Sequence, residues 1–434
     1  MSDIRDYQVN HLLLLIGSNP VPNAVAGKLL VAPGGRITLI HSQESASLAI
    51  RLREWLLRNI PAEVLIGRKE VDESDADSVY RGVREALTVY KSNLSKATYM
   101  EKVRVGLNYT GGTKVMSVHA YRAVENWAKD PKNQSQNWEA VFSYLDARSL
   151  SMRIDPIAGR SILPFYVGRQ VEISIKDLLI LHNWELPTYP RREPVLLKSA
   201  TTLLSIRNDP TTAHKWMQWL DHELEPKAKK SSAPTKAELQ KLELTWPEVP
   251  NLMDTMRKEL GQVNAGMLKL TMWPLQEKEK EKHFYQWLRG TWLESVVLST
   301  LQNSSETLHL NECCMNLIPH IPGQRGEGTS FEFDVVAMRG YQLFAFSCTT
   351  EDGGRALLKQ KLFEVCIRAR QMGGDEACAA LVCCMEQKRA DKLEWEVRRE
   401  MNMEGRIRVF GVDHLATLST SLENWIRQQS SEEE

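Results

Sequence analysis

The feature that most constrains the fold is an alternation of short apolar runs with amphipathic segments in the first 180 residues. Residues 9–16 form an apolar run, continuous from Leu12 to Ile16, and residues 36–41 form a β-branched strand pattern. The segment after the second run carries Leu48 and Leu52 at helical spacing. Strands that alternate with helices build a parallel sheet through short, right-handed crossovers. The sequence therefore predicts a Rossmann-like α/β domain here, with further strands at 103–107, 138–145 and 151–154.

The rest of the chain has a different character. The pattern of residues 187–261 predicts helices and one exposed segment. Lys227, Lys229 and Lys230 in that segment either belong to a solvated linker or touch a nucleic-acid backbone, and the linker is favoured. A second α/β unit follows, with a helix at 284–301, hairpin strands at 332–338 and 342–348, a helix at 356–371 and a strand at 377–385. We therefore predict three parts: residues 1–180, a helical connector at 181–280, and an α/β domain at 281–434.

Net charge, apolar runs and cysteine content narrow the possible functions and locations of the protein only slightly. The 434 residues have zero net charge, so no overall basic excess indicates nucleic-acid binding, although a local basic groove is compatible with that sum. The apolar run at 12–16 is too short for a signal segment or a membrane span, so we expect a cytoplasmic protein with no membrane partner. The seven cysteines lack metal-ligand spacing, which favours buried, reduced thiols over a metal site. The terminal residues 430–434 are expected to be disordered.

Two polar loops follow apolar strands in the first domain. The first loop, residues 17–23, offers Ser18, Asn19 and Asn23. The second, residues 108–114, reads Asn-Tyr-Thr-Gly-Gly-Thr-Lys and runs into a helix. Ligands of open α/β sheets bind at the carboxyl ends of the strands, where helix N-termini present free N–H groups. A tight strand-to-helix turn capped by a threonine explains the second loop equally well by itself, but two such loops in one sheet favour a ligand.

The two loops resemble the signatures of the CARF domain, the cyclic-oligoadenylate sensor of type III CRISPR systems. The resemblance covers about the first third of the chain, and it is strongest to CRISPR ancillary effectors that fuse a CARF domain to a PD-(D/E)xK nuclease domain. It implies a homodimer that binds one cyclic nucleotide, usually cyclic tetra-adenylate, across its two-fold axis as an activator. The residues that would line that pocket are Ser18, Asn19, Asn23, Thr110, Gly111, Gly112, Thr113 and Lys114.

The second α/β unit resembles the nuclease half of those effectors. Such nucleases use an aspartate on one hairpin strand and Glu-x-Lys on the next to bind divalent ions, Mn²⁺ or Mg²⁺, that activate water on nucleic acid. By position, Asp334 matches the metal-binding aspartate, and Glu294 matches the helix glutamate that often assists it. Ser347 and Thr349 stand where relatives have the glutamate and the lysine.

This departure leaves three interpretations open. A hydroxyl is a poor ligand for a hard cation, and losing the lysine removes a positive group from the site. The domain is then either a pseudonuclease that binds nucleic acid or protein, or a nuclease, acting on DNA or RNA, rebuilt from other groups. A third interpretation, a different chemistry in the same cleft, is less favoured. The replacement groups considered are Glu332, Glu351 or Asp352 for the carboxylate and Lys359 or Lys361 for the lysine. Glu351, Asp352 and the two lysines are each by themselves more simply explained as surface charge.

Overall fold

The N-terminal part forms a seven-stranded sheet flanked by helices. The computed structural model describes residues 3–94, 102–135, 137–156, 162–207, 209–228, 234–323, 330–350, 354–403 and 405–429. The strand order is β3-β2-β1-β4-β5-β6-β7, with the first five strands parallel and the last two antiparallel. The strands are β1 (Val9–Leu15), β2 (Val31–Ile40), β3 (Glu63–Ile66), β4 (Val103–Asn108), β5 (Trp138–Asp146), β6 (Ser151–Pro156) and β7 (Leu163–Tyr166). The helices are α1 (Val21–Leu30), α2 (Ala46–Asn59), α3 (Ala76–Ser92), α4 (Lys114–Lys129), α5 (Pro131–Gln134) and α6 (Ile175–Leu181), after a 3-10 turn at Ile4–Tyr7.

Strand β1 shows why this sheet is central to the domain. Leu12 and Leu14 pack into the core on one face of the sheet, and Leu13 and Leu15 pack into the core on the other. A strand buried on both faces reads as a continuous apolar run, which is the pattern that predicted it. The predicted Rossmann-like sheet is confirmed.

A helical region follows the first sheet. It contains α7 (Leu197–Ile206), α8 (Pro210–Trp219), α9 (Glu225–Ala228), α10 (Lys236–Gln240) and α11 (Leu252–Glu259), with a π-helical turn at Leu220–Leu224, short strands β8 (Glu243–Leu244) and β9 (Leu268–Lys269), and a 3-10 turn at Leu270–Met272. Its apolar side chains share one core with the C-terminal sheet, where Leu203 and Trp246 belong to the same cluster as Phe346. Of the three lysines predicted for a linker, Lys227 pairs with Glu223, while Lys229 and Lys230 lie outside the described residues.

The C-terminal part forms a five-stranded mixed sheet of order β10-β11-β12-β13-β14. The strands are β10 (Glu312–Leu317), β11 (Phe333–Arg339), β12 (Gln342–Thr349), β13 (Cys378–Cys383) and β14 (Ile407–Phe410). The helices are α12 (Lys280–Gln286), α13 (Trp292–Asn303), α14 (Ser305–Leu308), α15 (Arg355–Gly373), α16 (Gln387–Met401), α17 (Val412–Leu415) and α18 (Leu418–Gln428). The antiparallel β11–β12 hairpin and the parallel β12–β13 pair give the expected α/β fold class.

The single helix predicted at 284–301 is wrong in one respect. Helices α12 and α13 are separated by a π-helical turn at Trp287–Thr291, inside which Gly290 has non-helical backbone. A Cβ at Gly290 would lie 2.3 Å from the hydroxyl oxygen of Thr350, so a larger residue here would displace that side chain. The Thr350 hydroxyl donates to the Arg289 carbonyl oxygen at 3.0 Å, and this contact fixes the break.

The two sheets are joined by a continuous core. Leu12 on β1 belongs to the same buried cluster as Val336 on β11 and Leu358 on α15. The Ile173 N–H donates to the Gly340 carbonyl oxygen at 3.0 Å. Gly340 has a φ of 61°, and a Cβ on it would lie 2.0 Å from the Gly168 carbonyl oxygen, so the hairpin turn presses directly on the first domain.

Among the residues that the structure describes, no helix combines the length and apolar character needed to cross a bilayer.

Candidate functional site

The first polar loop is fixed to β1 from within. Asn23 is fully buried, and its amide nitrogen donates to the Leu15 carbonyl oxygen at 2.9 Å, while its amide oxygen has no hydrogen-bond partner. The Asn19 amide oxygen accepts the Val21 N–H at 3.0 Å, which orients the loop where α1 begins. Ser18 is exposed at the tip. Of the three predicted pocket residues on this loop, Ser18 is therefore the one whose side chain faces solvent.

The second loop is equally well braced. The Thr110 hydroxyl oxygen accepts the Leu145 N–H at 2.7 Å, which ties the loop to β5. Thr113 caps α4 by accepting the Met116 N–H at 3.2 Å, and its hydroxyl donates to the Glu73 carbonyl oxygen at 3.0 Å. Lys114, the first residue of α4, is exposed. Both threonines thus position the loop, and Lys114 supplies its exposed charge.

The glycines bring the two loops into direct contact. A Cβ on Gly17 would lie 2.7 Å from the Gly112 nitrogen, and a Cβ on Gly111 would lie 2.1 Å from the Leu15 carbonyl oxygen. Gly112 also has a φ of 76°, in the left-handed region that favours glycine. The structure therefore brings the two predicted loops together at the carboxyl edge of the sheet.

A cleft of about 410 Å³ lies on the β1–β2 side of the two loops. Gly17, Ser18, Gly112 and Thr113 form one wall of it. The other wall comes from residues that sequence reasoning missed: Glu44, Ser45, Ser47, Leu48, Arg51 and Glu73. They lie at the start of α2 and after β3, and no motif in the sequence marks them.

Asn19 reaches the C-terminal part of the chain. Its side chain lowers the pKa of the Glu376 carboxylate, and it lies so close to Gly374 that a Cβ there would be 1.9 Å from the Asn19 amide nitrogen. Glu376 is 2% exposed, and burial raises its pKa to about 7. The neighbouring Arg406 side chain donates to the Glu376 carbonyl oxygen at 2.6 Å and to the Ala147 carbonyl oxygen. A predicted ligand residue therefore lies beside a buried acid of the C-terminal part of the chain.

The predicted nuclease site centres on Asp334 at the start of β11. One Asp334 carboxylate oxygen accepts the Ser347 hydroxyl at 3.1 Å and the Cys348 N–H at 2.6 Å. Burial raises the pKa of Asp334 to about 6, and the nearby Glu332 carboxylate adds to that rise. Cys348, one of the seven cysteines expected to be buried, is half-buried and packs against the core. Asp334 is thus held by Ser347 and Cys348, which occupy the first two positions of the Glu-x-Lys motif.

Two further carboxylates approach Asp334. Burial raises the pKa of Glu294 well above its usual value, and the charges of Asp334 and Glu332 raise it further. The Asn316 amide nitrogen donates to Glu294 at 3.0 Å and to Glu332 at 3.2 Å. Asn316 has a φ of 54°, and its amide oxygen is buried without a partner. Sequence reasoning missed this residue, although an asparagine inside a strand is a weak signal of left-handed backbone.

The remaining candidates differ in placement. Thr349, at the lysine position, is buried. Of the two candidate lysines, Lys361 on α15 is the one whose positive charge lowers the pKa of Asp334, against the effect of burial. Lys359 instead pairs with Glu400 at 2.8 Å. The proposed replacements Glu351 and Asp352 lie outside the described residues.

The donor set fits a hard divalent cation in its chemistry. Glu294, Glu332 and Asp334 offer carboxylate oxygens, and Asn316 offers an unpartnered amide oxygen. Within the described ranges, no three acidic, histidine or cysteine side chains surround one point closely enough to hold a metal ion. Magnesium sites commonly use one or two carboxylates and complete their coordination with water and substrate phosphates. Asp334 and Glu294 satisfy that smaller requirement.

Comparisons with known proteins place the fold. No protein-family model matches the chain, and no curated protein matches its sequence. Among solved structures, protein VC1899 from Vibrio cholerae matches with a TM-score of 0.66 and 17% identity over 97% of this chain and 98% of that one. The chain has the same fold from end to end. A second match is Can2 from Sulfobacillus thermosulfidooxidans, solved in complex with cyclic tetra-adenylate, with a TM-score of 0.64 and 16% identity over 96% of this chain and 99% of that one. The α/β fold class expected from the sequence is therefore confirmed.

Proposed function

We propose that this chain is a type III CRISPR accessory effector that binds a cyclic oligoadenylate, with cyclic tetra-adenylate as the expected ring. The observation that carries the proposal is the contact between the two polar loops, residues 17–23 and 108–114, at the carboxyl edge of the sheet; we call them the two glycine loops below. That edge presents the N-terminus of α4 and the exposed Lys114, both suited to phosphate. The same fold in Can2 is solved with cyclic tetra-adenylate bound, which supports this ligand.

A homodimer is part of the proposal. A ring of four identical units has a two-fold axis, so two copies of this edge could each bind one half of it. Ser18 and Lys114 are exposed in one protomer, as side chains that meet a ligand from a shared axis must be. Sedimentation or mass photometry of the free protein tests the dimer.

Calorimetric titration with cyclic tetra-adenylate tests the ligand. Lys114→Ala should weaken binding, because a charge-assisted phosphate contact is lost. Lys129→Ala is the matched control: it removes a lysine from the other end of the same helix, where Lys129 pairs with Glu125 at 2.8 Å. Unchanged affinity in the Lys114 variant would remove that residue from the pocket, and no binding by the wild-type protein would reject the sensor.

We further propose that ligand binding controls a metal-dependent nuclease site on nucleic acid. Asp334 and Glu294 would hold the divalent ion, whose role when bound is to activate water and stabilise charge on the phosphate. Asn316 keeps Glu294 and Glu332 together, and Ser347 orients Asp334 by donating its hydroxyl hydrogen. Lys361 supplies a positive charge from α15 in place of the lysine missing at Thr349.

The second candidate is a pseudonuclease that binds nucleic acid or protein without cleaving it. One observation favours it: an Asp334 oxygen already accepts two hydrogen bonds, from Ser347 and from the Cys348 N–H, and is thereby less available to a cation. Incubating the protein with manganese or magnesium, cyclic tetra-adenylate, and plasmid, single-stranded DNA or RNA separates the two. Cleavage that Asp334→Asn abolishes supports the nuclease, and ligand binding without cleavage of any substrate supports the pseudonuclease.

A further inference from the structure

A second, larger cleft lies between the two sheets and is strongly basic. Its volume is about 940 Å³, near the upper end for small-molecule sites. Residues 144–148 at the end of β5 form one wall, and the ends of α15, α16 and α18 with the start of β14 form the other. Five arginines and two aspartates line it. The arginines are Arg148, Arg370, Arg398, Arg406 and Arg408; we refer to this space as the arginine cleft.

The positive charge of the arginine cleft is only partly neutralised. Arg398 and Arg408 share one carboxylate, that of Glu394, at 2.8 and 3.2 Å. Arg370 pairs with Asp375 at 2.7 Å on the cleft wall, where both side chains stay exposed. Arg406 donates to backbone carbonyl oxygens and has no carboxylate within ion-pair distance in the described part of the chain. Arg148 is exposed, and its guanidinium has no hydrogen-bond or ion-pair partner among the described residues. Guanidinium groups that keep unused N–H donors are suited to the paired oxygens of phosphate.

The position of the cleft connects it to the sensor. The Leu145 N–H, on its wall, donates to the Thr110 hydroxyl oxygen at 2.7 Å, so the cleft begins beside the second glycine loop. Tyr144 also lines it, and its ring lies 5.4 Å from that of Tyr109 in the loop. Aromatic rings beside a basic groove provide stacking surfaces for bases. The 410 Å³ cleft on the other side of the loops is less suited to an anion, because it sets Glu44 and Glu73 against Arg51.

The arginine cleft is also distinct from the nuclease site. Strands β13 and β14 begin at the cleft, where Arg406 directly precedes β14. Asp334 and Ser347 lie toward the other end of the same sheet, since Ser347 on β12 pairs with Leu381 late in β13. The cleft therefore joins the sensor edge to the effector at a point remote from the proposed chemistry.

We propose that the arginine cleft binds the phosphodiester backbone of the oligoadenylate, so that the effector half contacts the activator directly. The inference rests on the proposed sensor function and extends it by assigning effector residues to the ligand site. Arg148 and Arg370 reach the ligand from the sensor and effector walls, and Arg406 holds the two walls together through the Ala147 and Glu376 carbonyl oxygens. A ligand seated there contacts both halves of the chain at once.

Calorimetry on the full-length protein tests the proposal. The test variant is Arg148→Ala with Arg370→Ala, and the control is Arg389→Ala with Arg399→Ala, two exposed arginines of α16 outside the cleft. We expect the test variant to bind cyclic tetra-adenylate at least about tenfold more weakly, a change of about 1.4 kcal/mol, and the control to match wild type. Linear tetra-adenylate, titrated in parallel, shows whether the backbone alone or the closed ring is required.

The outcomes separate the two proposals. Wild-type protein that binds no cyclic tetra-adenylate rejects the sensor function and this inference together. Wild-type binding that the test variant retains in full overturns this inference and leaves the sensor function standing. Loss of affinity for single-stranded RNA or DNA with unchanged binding of the ring also overturns it and reassigns the cleft to substrate. Arg148→Glu repeats the test at a side chain with no partner among the described residues, where misfolding is not expected.

Discussion

Replacing Glu376 by glutamine isolates the electrostatic cost of a buried acid at the junction of the two halves. Glu376 is 2% exposed, and burial raises its pKa from 4.5 to about 7. The charges that face it are Arg406, which lowers the pKa, and Asp375, which raises it. The Asn19 side chain of the first polar loop also lowers the pKa. Glutamine keeps the size and the acceptor oxygen and removes the ionisation.

The sign and size of the effect follow from the raised pKa. Since the folded-state pKa exceeds the unfolded one, the contribution of Glu376 to stability is fully present below pH 4.5 and is lost as the pH rises through about 7. A difference of about 2.5 pKa units corresponds to roughly 3 kcal/mol, at about 1.4 kcal/mol for each unit. This is an upper value, because water that enters the site would lower it. Glu376→Gln should therefore be more stable than wild type at alkaline pH and no more stable at acidic pH.

Thermal denaturation across this pH range measures the effect. A gain of roughly 3 kcal/mol in a domain of this size raises the melting temperature by about 5–10 °C. The quantity to compare is the difference between variant and wild type at each pH, because Asp334 and Glu294 also titrate in the wild-type protein. Glu364→Gln, an exposed position on α15, serves as control. A variant-minus-wild-type difference that stays constant from acidic to alkaline pH would refute the reasoning.

Three further predictions follow from the two sites. Gly111→Ala should lower the free energy of unfolding by about 1–3 kcal/mol and abolish ligand binding, because its Cβ would lie 2.1 Å from the Leu15 carbonyl oxygen. Gly266→Ala is the control, since Gly266 has open space around it, and it should change neither the melting temperature nor the calorimetric affinity. Lys361→Ala should slow plasmid cleavage at least about tenfold, in line with the loss of one positive group near the reacting phosphate. The control is Lys359→Ala, on the same helix, which should leave the cleavage rate unchanged. Equal cleavage rates for the two variants would show that Lys361 has no role in the reaction. Manganese binding should weaken below about pH 6, where Asp334 becomes protonated, and calorimetry showing no pH dependence would contradict this.

The strands and glycine loops could be predicted because their signals are local. Apolar runs and strand-to-helix turns are written in adjacent residues, and β1 departs from its predicted end by a single residue. Strand β10 escaped prediction because Cys313, Cys314 and Asn316 interrupt the β-branched pattern that marks a strand. The break at Gly290 escaped for a different reason: its cause is Thr350, a contact made only after the chain folds.

At the two candidate sites, too, the sequence does not show the contacts that form only when the chain folds. Sequence position placed Asp334, Ser347 and Glu294 near one another, and the structure brings them together through Asn316 and the Cys348 N–H. For the sensor, the sequence identified the loops but not which side chains face outward. Asn23, Thr110 and Thr113 were chosen as ligand contacts because their polar groups suit a nucleotide, whereas the structure uses those groups to hold backbone. The composition of a loop predicts its chemistry better than the direction of each side chain.

The position of Glu376 connects the first polar loop to the strands that hold Asp334. The Gly374–Glu376 turn directly precedes β13, which runs parallel to β12 and pairs with it from Phe344 to Thr349. Packed strands move as units, because their hydrogen bonds and close-packed side chains resist independent sliding. We therefore expect a displacement of this turn, caused by a ligand that pulls on Asn19, to pass along β13 to Ser347 and the Asp334 carboxylate it orients. The continuous core between β1 and β11 limits the alternatives, since the two halves cannot hinge freely while Leu12 and Val336 share one buried cluster.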